Sequence, residues 1–304
     1  MVNTRLFLNT DQRSCFDENG GRINCIGSGQ DGALNSKNSA PHDRFKPHED
    51  MVLDQWTGVF WHKNANLPGF PLSHKEAFEF VQQMNLSLVG GRGDWRLPTR
   101  DELFSLISHQ YINPSLPDNH PFLDTFHGYY WTGTTCARLP DQAWYIHLGG
   151  GRIYRGMKHG AYMVWPVAGN APDVIRPKNR FVSKSHTFYD RFTEKTWLND
   201  PGVVKHPLTW RQALDQIRQI NTAKVAGHDD WRLPNIRELE SLIDIATHSP
   251  ALAPGCPFHS IKDGYWSATT SVYEPRYAWV LYTQDGAVGV GYKPQSDFFL
   301  SAIR

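Results

Sequence analysis

Residues 149–162, GGGRIYRGMKHGAY, gather four basic side chains around one aromatic ring: Arg152, Arg155, Lys158 and His159 about Tyr154. The surrounding glycines predict an exposed hairpin. Guanidinium groups suit sulfate or carboxylate, since their planar donors can meet two oxygens at once, and a tyrosine ring can stack on a sugar face. A later segment, GAVGVGYKPQSD, keeps only Tyr292 and Lys293 of this set. The competing reading is a solvated hairpin with scattered charges, because the surrounding region has slightly more acidic than basic residues.

Other chemistry finds less support. GSGQDG at 27–32 satisfies G-x-G-x-x-G. A dinucleotide fingerprint also needs a buried strand before it and a helix after it, and RINCI and ALNSKNSAP make poor candidates for either. Of the fourteen histidines the closest pair, His42 and His48, is six residues apart, and neither H-E-x-x-H nor C-x-x-C occurs. Neither a G-x-S-x-G element nor a P-loop is present, so no enzyme, metal or cofactor is expected. Cys15 and Cys25 flank the turn signal DENGG in CFDENGGRINC, which predicts a disulfide-closed hairpin and favours an extracellular or periplasmic protein. Two reduced thiols in a cytosolic protein are the alternative.

These residues must be held by elements, and the elements come in duplicate. DWRLPTRDELFSLI at 94–107 returns as DWRLPNIRELESLI at 230–243, identical at ten of fourteen positions. At the same offset of 136, Trp56 and Trp61 face Phe192 and Trp197; after one deletion YYWTGTT (129–135) matches GYWSATT (264–270) and Trp144 matches Trp279. Ser73 with Glu76 and Thr209 with Gln212 predict capping boxes, as do Thr99 with Glu102 and Asn235 with Glu238. Ala77, Val81 and Met84, like Ala213, Ile217 and Ile220, recur at helical spacing and predict buried stripes. Leu103, Leu106 and Ile107, with Leu239, Leu242 and Ile243, form the core face of a second helix. Aromatic and β-branched runs separated by Gly, Pro, Asn and Asp then predict strands. In DWRLP itself, Trp95 and Trp231 are expected in the core, with Arg96 and Arg232 each paired to a nearby carboxylate.

The expected architecture is α+β: two tandem modules at 49–172 and 173–304, each with two helices packed on a small twisted, mainly antiparallel sheet, after a turn-rich leader at 1–48. GNAPDVIRPKN reads as the linker between modules. A 40% hydrophobic, 13% aromatic composition with eleven Trp supports compact cores. A net charge of +1 gives no reason to expect nucleic acid as a partner. No window approaches 18 consecutive apolar residues, so membrane insertion is not expected. MVNTRLFLNTDQRS lacks the apolar core of a secretory signal: either a signal precedes this chain or the protein stays inside.

The order W-T-G-x-x-W, a capped helix, G-x-D-W-R-L-P-x-x-x-E-L, Y-W-[TS]-x-T-T, A-W and V-W-P-V closely resembles the Lcl C-terminal domain family over both modules. That bacterial family is named after the C-terminal domain of a collagen-like adhesin. The resemblance implies a C-type lectin-like fold and non-enzymatic binding of a glycan, such as a sulfated glycosaminoglycan, or of a surface protein. A structural or protein-binding display module is the alternative it leaves open. RLPTRDEL also resembles the RLPTEAEW phrase of formylglycine-generating and related sulfatase-modifying enzymes: Arg96, Leu97, Pro98, Thr99 and Glu102 match, while Leu103 replaces Trp. Such an oxidase needs neighbouring thiols, and Cys136 and Cys256 lie in different modules. WLND (197–200) and EPR (274–276) only partly match the calcium loops of lectin-like folds. Module 2, with FTEKTW and FFLSAIR, reads as the more diverged copy.

Overall fold

The computed structural model describes residues 8–34, 44–171, 177, 179–199 and 205–304. Most of the expected linker and the last residue of WLND lie outside these. Among the described residues, 44–171 form one compact unit, and 8–34 join 177–304 in the other. Residues 8–34 of the leader are thus built into the second unit, while its last residues, 44–48, belong to the first. No described helix is long and apolar enough to cross a membrane.

In the leader, β1 (Cys15–Phe16) and β2 (Arg22–Ile23) pair antiparallel, with Cys15 joined to Cys25 by a disulfide. Asp17 holds the turn by accepting from the N–H groups of Asn19 and Gly21. A single helical turn, α1 (Asp31–Leu34), follows.

Module 1 has two sheets. β3 (Phe45–His48), β4 (Met51–Asp54) and β5 (Phe60–His62) form a meander. Helix α2 (His74–Leu86) begins at the Ser73 and Glu76 capping box and buries Ala77, Val81 and Met84. After it come β6 (Trp95–Arg96) and α3 (Arg100–Ser105), the latter capped by Thr99 and Glu102. The second sheet is the antiparallel meander β7 (Tyr129–Thr135), β8 (Gln142–His147) and β9 (Arg152–Met157). β10 (Val167–Ala168) then inserts between β5 and β6 and completes the first sheet. The core of α2, β6 and β7 contains Trp95, Trp131, Val81, Met84 and Leu97.

Module 2 repeats this with β11 (Phe181–Ser183), β12 (Thr187–Asp190) and β13 (Lys195–Leu198), helices α4 (Trp210–Thr222) and α5 (Ile236–Glu240), and the meander β14 (Gly264–Thr270), β15 (Tyr277–Tyr282) and β16 (Val288–Tyr292). Ile303 bridges both Trp197 and Arg232, as Val167 links Trp61 and Arg96 in module 1. All four expected capping boxes are present.

The repeated phrase acts as a structural clip. Trp95 and Trp231 are buried and donate their indole N–H to Val89 and Val225 carbonyls at 2.9 and 3.0 Å. Arg96 makes two bonds to Glu102 at 2.8 and 2.6 Å, and Arg232 makes the same pair to Glu238 at 2.7 and 2.6 Å. Each glutamate therefore caps its helix and fixes the preceding strand. A second duplicated pair was not read from sequence. Arg44 clasps Asp54 with both donors, and Arg180 clasps Asp190, each buried beside aromatic rings.

Candidate functional site

On one face of the module 1 meander, cross-strand register brings Tyr129 opposite His147, His147 opposite Arg152, and Tyr145 opposite both Trp131 and Tyr154. Alternating side chains share a face every second residue, so three strands supply one continuous aromatic surface. Tyr129 lies 4.9 Å from both Tyr145 and His147, ring centre to ring centre, and Tyr162 lies 5.0 Å from Tyr145. Tyr154 sits 6.4 Å from Tyr145, with the guanidinium carbons of Arg152 and Arg155 at 4.9 and 4.7 Å from its ring centre. Trp131 closes the platform against the core.

Burial pushes the Tyr145 hydroxyl up to about 12 and also raises that of Tyr162. These phenols stay protonated near neutral pH and can donate to or accept from a ligand hydroxyl. Burial, then the nearby Arg152 charge, holds His147 below its ordinary value, so near neutrality the ring is uncharged. The positive charge of the platform therefore belongs to the arginines.

The basic cluster read from sequence divides in space. Arg152 and Tyr154 join the platform. Arg155 starts from the other face of β9, opposite Trp144, and is half-buried. Lys158 and His159 lie beyond the end of β9, where Lys158 takes Asp141 as a backbone partner and its carbonyl accepts from His74 at the start of α2. Tyr292 is 38% exposed against Tyr277. Lys293 is corrected most sharply: it is 0% exposed, its ammonium 4.2 Å from the Trp210 ring centre and donating to the carbonyls of Phe16 and Asp17. A lysine that closes the leader onto α4 is not open to a glycan.

Sequence reading missed Tyr129 on β7, Tyr145 and His147 on β8, and Tyr162 in an isolated bridge to Leu72. Aligning the copies gives the signal. At offset 135, Tyr129, Tyr145, Arg152 and Tyr154 meet Gly264, Val280, Ala287 and Gly289, and Phe298 replaces Tyr162 in the same bridge. Module 2 folds the same meander and keeps aromatic rings at Trp266, Tyr282 (opposite number of His147) and Phe298, but lacks the other three tyrosines and the arginine, so those side chains are not required by the fold.

Among the described residues, no three His, Cys, Asp or Glu side chains converge as metal ligands. Burial raises the Cys256 thiol to about 11, which leaves little thiolate at neutral pH. A cleft of 550 Å³ beside α2 is lined by Leu67, Phe70, Phe80, Glu76 and Glu79, among others. Its carboxylates repel an anion.

The Lcl C-terminal domain model matches residues 50–168 and again 186–304. The chain belongs to the Lcl C-terminal domain family. Each Lcl C-terminal domain thus falls within one structural module, and the leader lies outside both matches although Lys293, which holds it, lies inside the second. No curated protein matches the chain.

Proposed function

We propose that this tandem Lcl C-terminal domain protein is a non-enzymatic binder of anionic glycans outside the cytoplasm, with its site on the module 1 platform. The observation that carries the reading is the contrast between copies: module 1 places tyrosines and arginines where module 2 has glycine, alanine and valine. A row of neutral phenols flanked by guanidinium groups combines stacking surface with paired donors for sulfate or carboxylate. The Cys15–Cys25 disulfide is compatible with an oxidising compartment. A C-type lectin-like fold and an adhesin-like role, both implied by the family resemblance, belong to the same proposal.

The test is binding of the full chain to heparin, chondroitin sulfate and neutral dextran at two salt concentrations, with and without calcium. Sulfated ligands should bind and weaken with salt, without calcium, because screening acts on exposed charge. Replacing Arg152 and Tyr154 by their module 2 counterparts, Arg152→Ala and Tyr154→Gly, should reduce affinity at least about tenfold, the equivalent of 1.4 kcal/mol. The double variant should keep native circular dichroism. Unchanged affinity, or binding to no glycan, would overturn the placement.

A further inference from the structure

In module 2 the leader occupies a seat built from β14, α4 and the segment after β16. The Gln12 side chain takes both main-chain groups of Thr270: its oxygen accepts from the N–H at 2.9 Å, and its amide donates to the carbonyl at 2.6 Å. Asp31 accepts from the Thr269 hydroxyl at 2.7 Å and from Thr10 at 2.6 Å. Lys293 holds two leader carbonyls. Every residue of β14 is buried.

Module 1 repeats this seat. Thr134 and Thr135 stand at the positions of Thr269 and Thr270, and Lys158 at that of Lys293. Thr134 and Thr269 each accept the first helical N–H, from Arg100 at 3.0 Å and Ile236 at 3.1 Å, which leaves each hydroxyl hydrogen uncommitted by that bond. His74 and Trp210 donate from equivalent ring nitrogens to the carbonyls of Thr132 and Ser267. Their backbone N–H groups bond the Lys158 and Lys293 carbonyls at 3.0 Å in both cases. The strap over module 2 has no counterpart among the described residues of module 1: Thr134 is half-buried and Thr135 exposed. Phe78 is 46% exposed where its counterpart Leu214 is 6%.

We propose that this open seat on module 1 binds a polypeptide segment of a partner protein with the chemistry of the leader: a carboxamide for Thr135, a carboxylate for Thr134 and main-chain carbonyls for Lys158. A strand end that presents its N–H and C=O is matched by another peptide, as in strand addition. Phe78 adds apolar contact, and Lys158 favours the carbonyl-rich, anionic side of such a segment. A second copy of this chain is the poorer occupant. Its leader is tethered beside its own module 2, and each transfer would vacate one seat for every seat filled.

The experiment uses a labelled, oxidised synthetic peptide of residues 8–34 as the probe, added to the full chain and followed by fluorescence anisotropy. Saturable binding at one site is expected, weakened at least about tenfold by Lys158→Glu or Phe78→Asp in a chain with an unchanged melting profile. The same loss is expected when the peptide carries Gln12→Ala and Asp31→Ala. Arg152→Ala with Tyr154→Gly should leave the peptide bound, which separates failure of this seat from failure of the glycan site. Absence of binding, or binding indifferent to the module 1 variants, as when the probe merely displaces the tethered leader, would overturn the proposal. Self-association of the full chain that Lys158→Glu abolishes would assign the seat to a second copy and overturn the partner.

Discussion

One residue type does different work in the two copies. Lys158 and Lys293 share a backbone setting, yet burial pushes the Lys293 ammonium down to about 7, against the opposing pull of the Asp17 and Glu18 carboxylates, while its hydrogens meet the Phe16 and Asp17 carbonyls. Lys158 keeps company with His74, whose own value is lowered first by burial and also by the Lys158 charge. A second contrast lies just after each long helix. Module 1 uses Gly90 at φ 60°, whereas module 2 uses Ala226 at φ 54°, a left-handed conformation that Cβ disfavours. Ala226→Gly should therefore stabilise module 2 by roughly 0.5–1 kcal/mol, read as a higher denaturant midpoint with unchanged slope; a lower midpoint would show that the position bears no strain.

At the level of elements, the helices were legible because their signals are local. A capping hydroxyl and its carboxylate or amide partner lie three residues apart, so Ser73 with Glu76 or Asn235 with Glu238 can be read without knowing the fold. The helix stripes and the Cys15–Cys25 hairpin were readable for the same reason. The platform was not, since Tyr129, Tyr145 and Tyr154 become neighbours only through cross-strand register. Nor was the leader's seat, which joins Asp31 to a hydroxyl 238 residues away. That joint makes leader docking sensitive to pH. Burial raises the Asp31 carboxyl from 3.8 to about 6, so its contribution is fully present below the unfolded value and lost as pH rises through about 6. Asp31→Asn, whose side-chain oxygen can accept from Thr10 and Thr269, should flatten this dependence. Melting curves from pH 4.5 to 7.5 would show it, and equal slopes for both proteins would remove Asp31 from the account.

Across the whole molecule, the duplicated modules carry unequal titrating groups. His62, His74, His120 and His147, all in module 1, are lowered chiefly by burial. A depressed histidine contributes stability above its unfolded value of 6.5 that is lost as pH falls through its folded value. Acidification should thus weaken module 1, while protonation of Asp31 works the other way in module 2. Hydrogen exchange resolved by peptide at pH 7.5 and 5.5, with each rate divided by the intrinsic amide exchange rate at that pH, would detect lower protection of α2 and β7 at the lower pH; a uniform change across both modules would contradict it. The duplication also imposes a timetable. The leader is the early part of this chain to be made, whereas Thr270, which Gln12 grips, lies 258 residues later. At ordinary translation speeds the gap is roughly 10–50 s. During it module 1 can fold complete while Gln12 and Asp31 have no Thr270 or Thr269 to grip. A ribosome paused inside module 2 would hold a finished first domain and an unspent clasp.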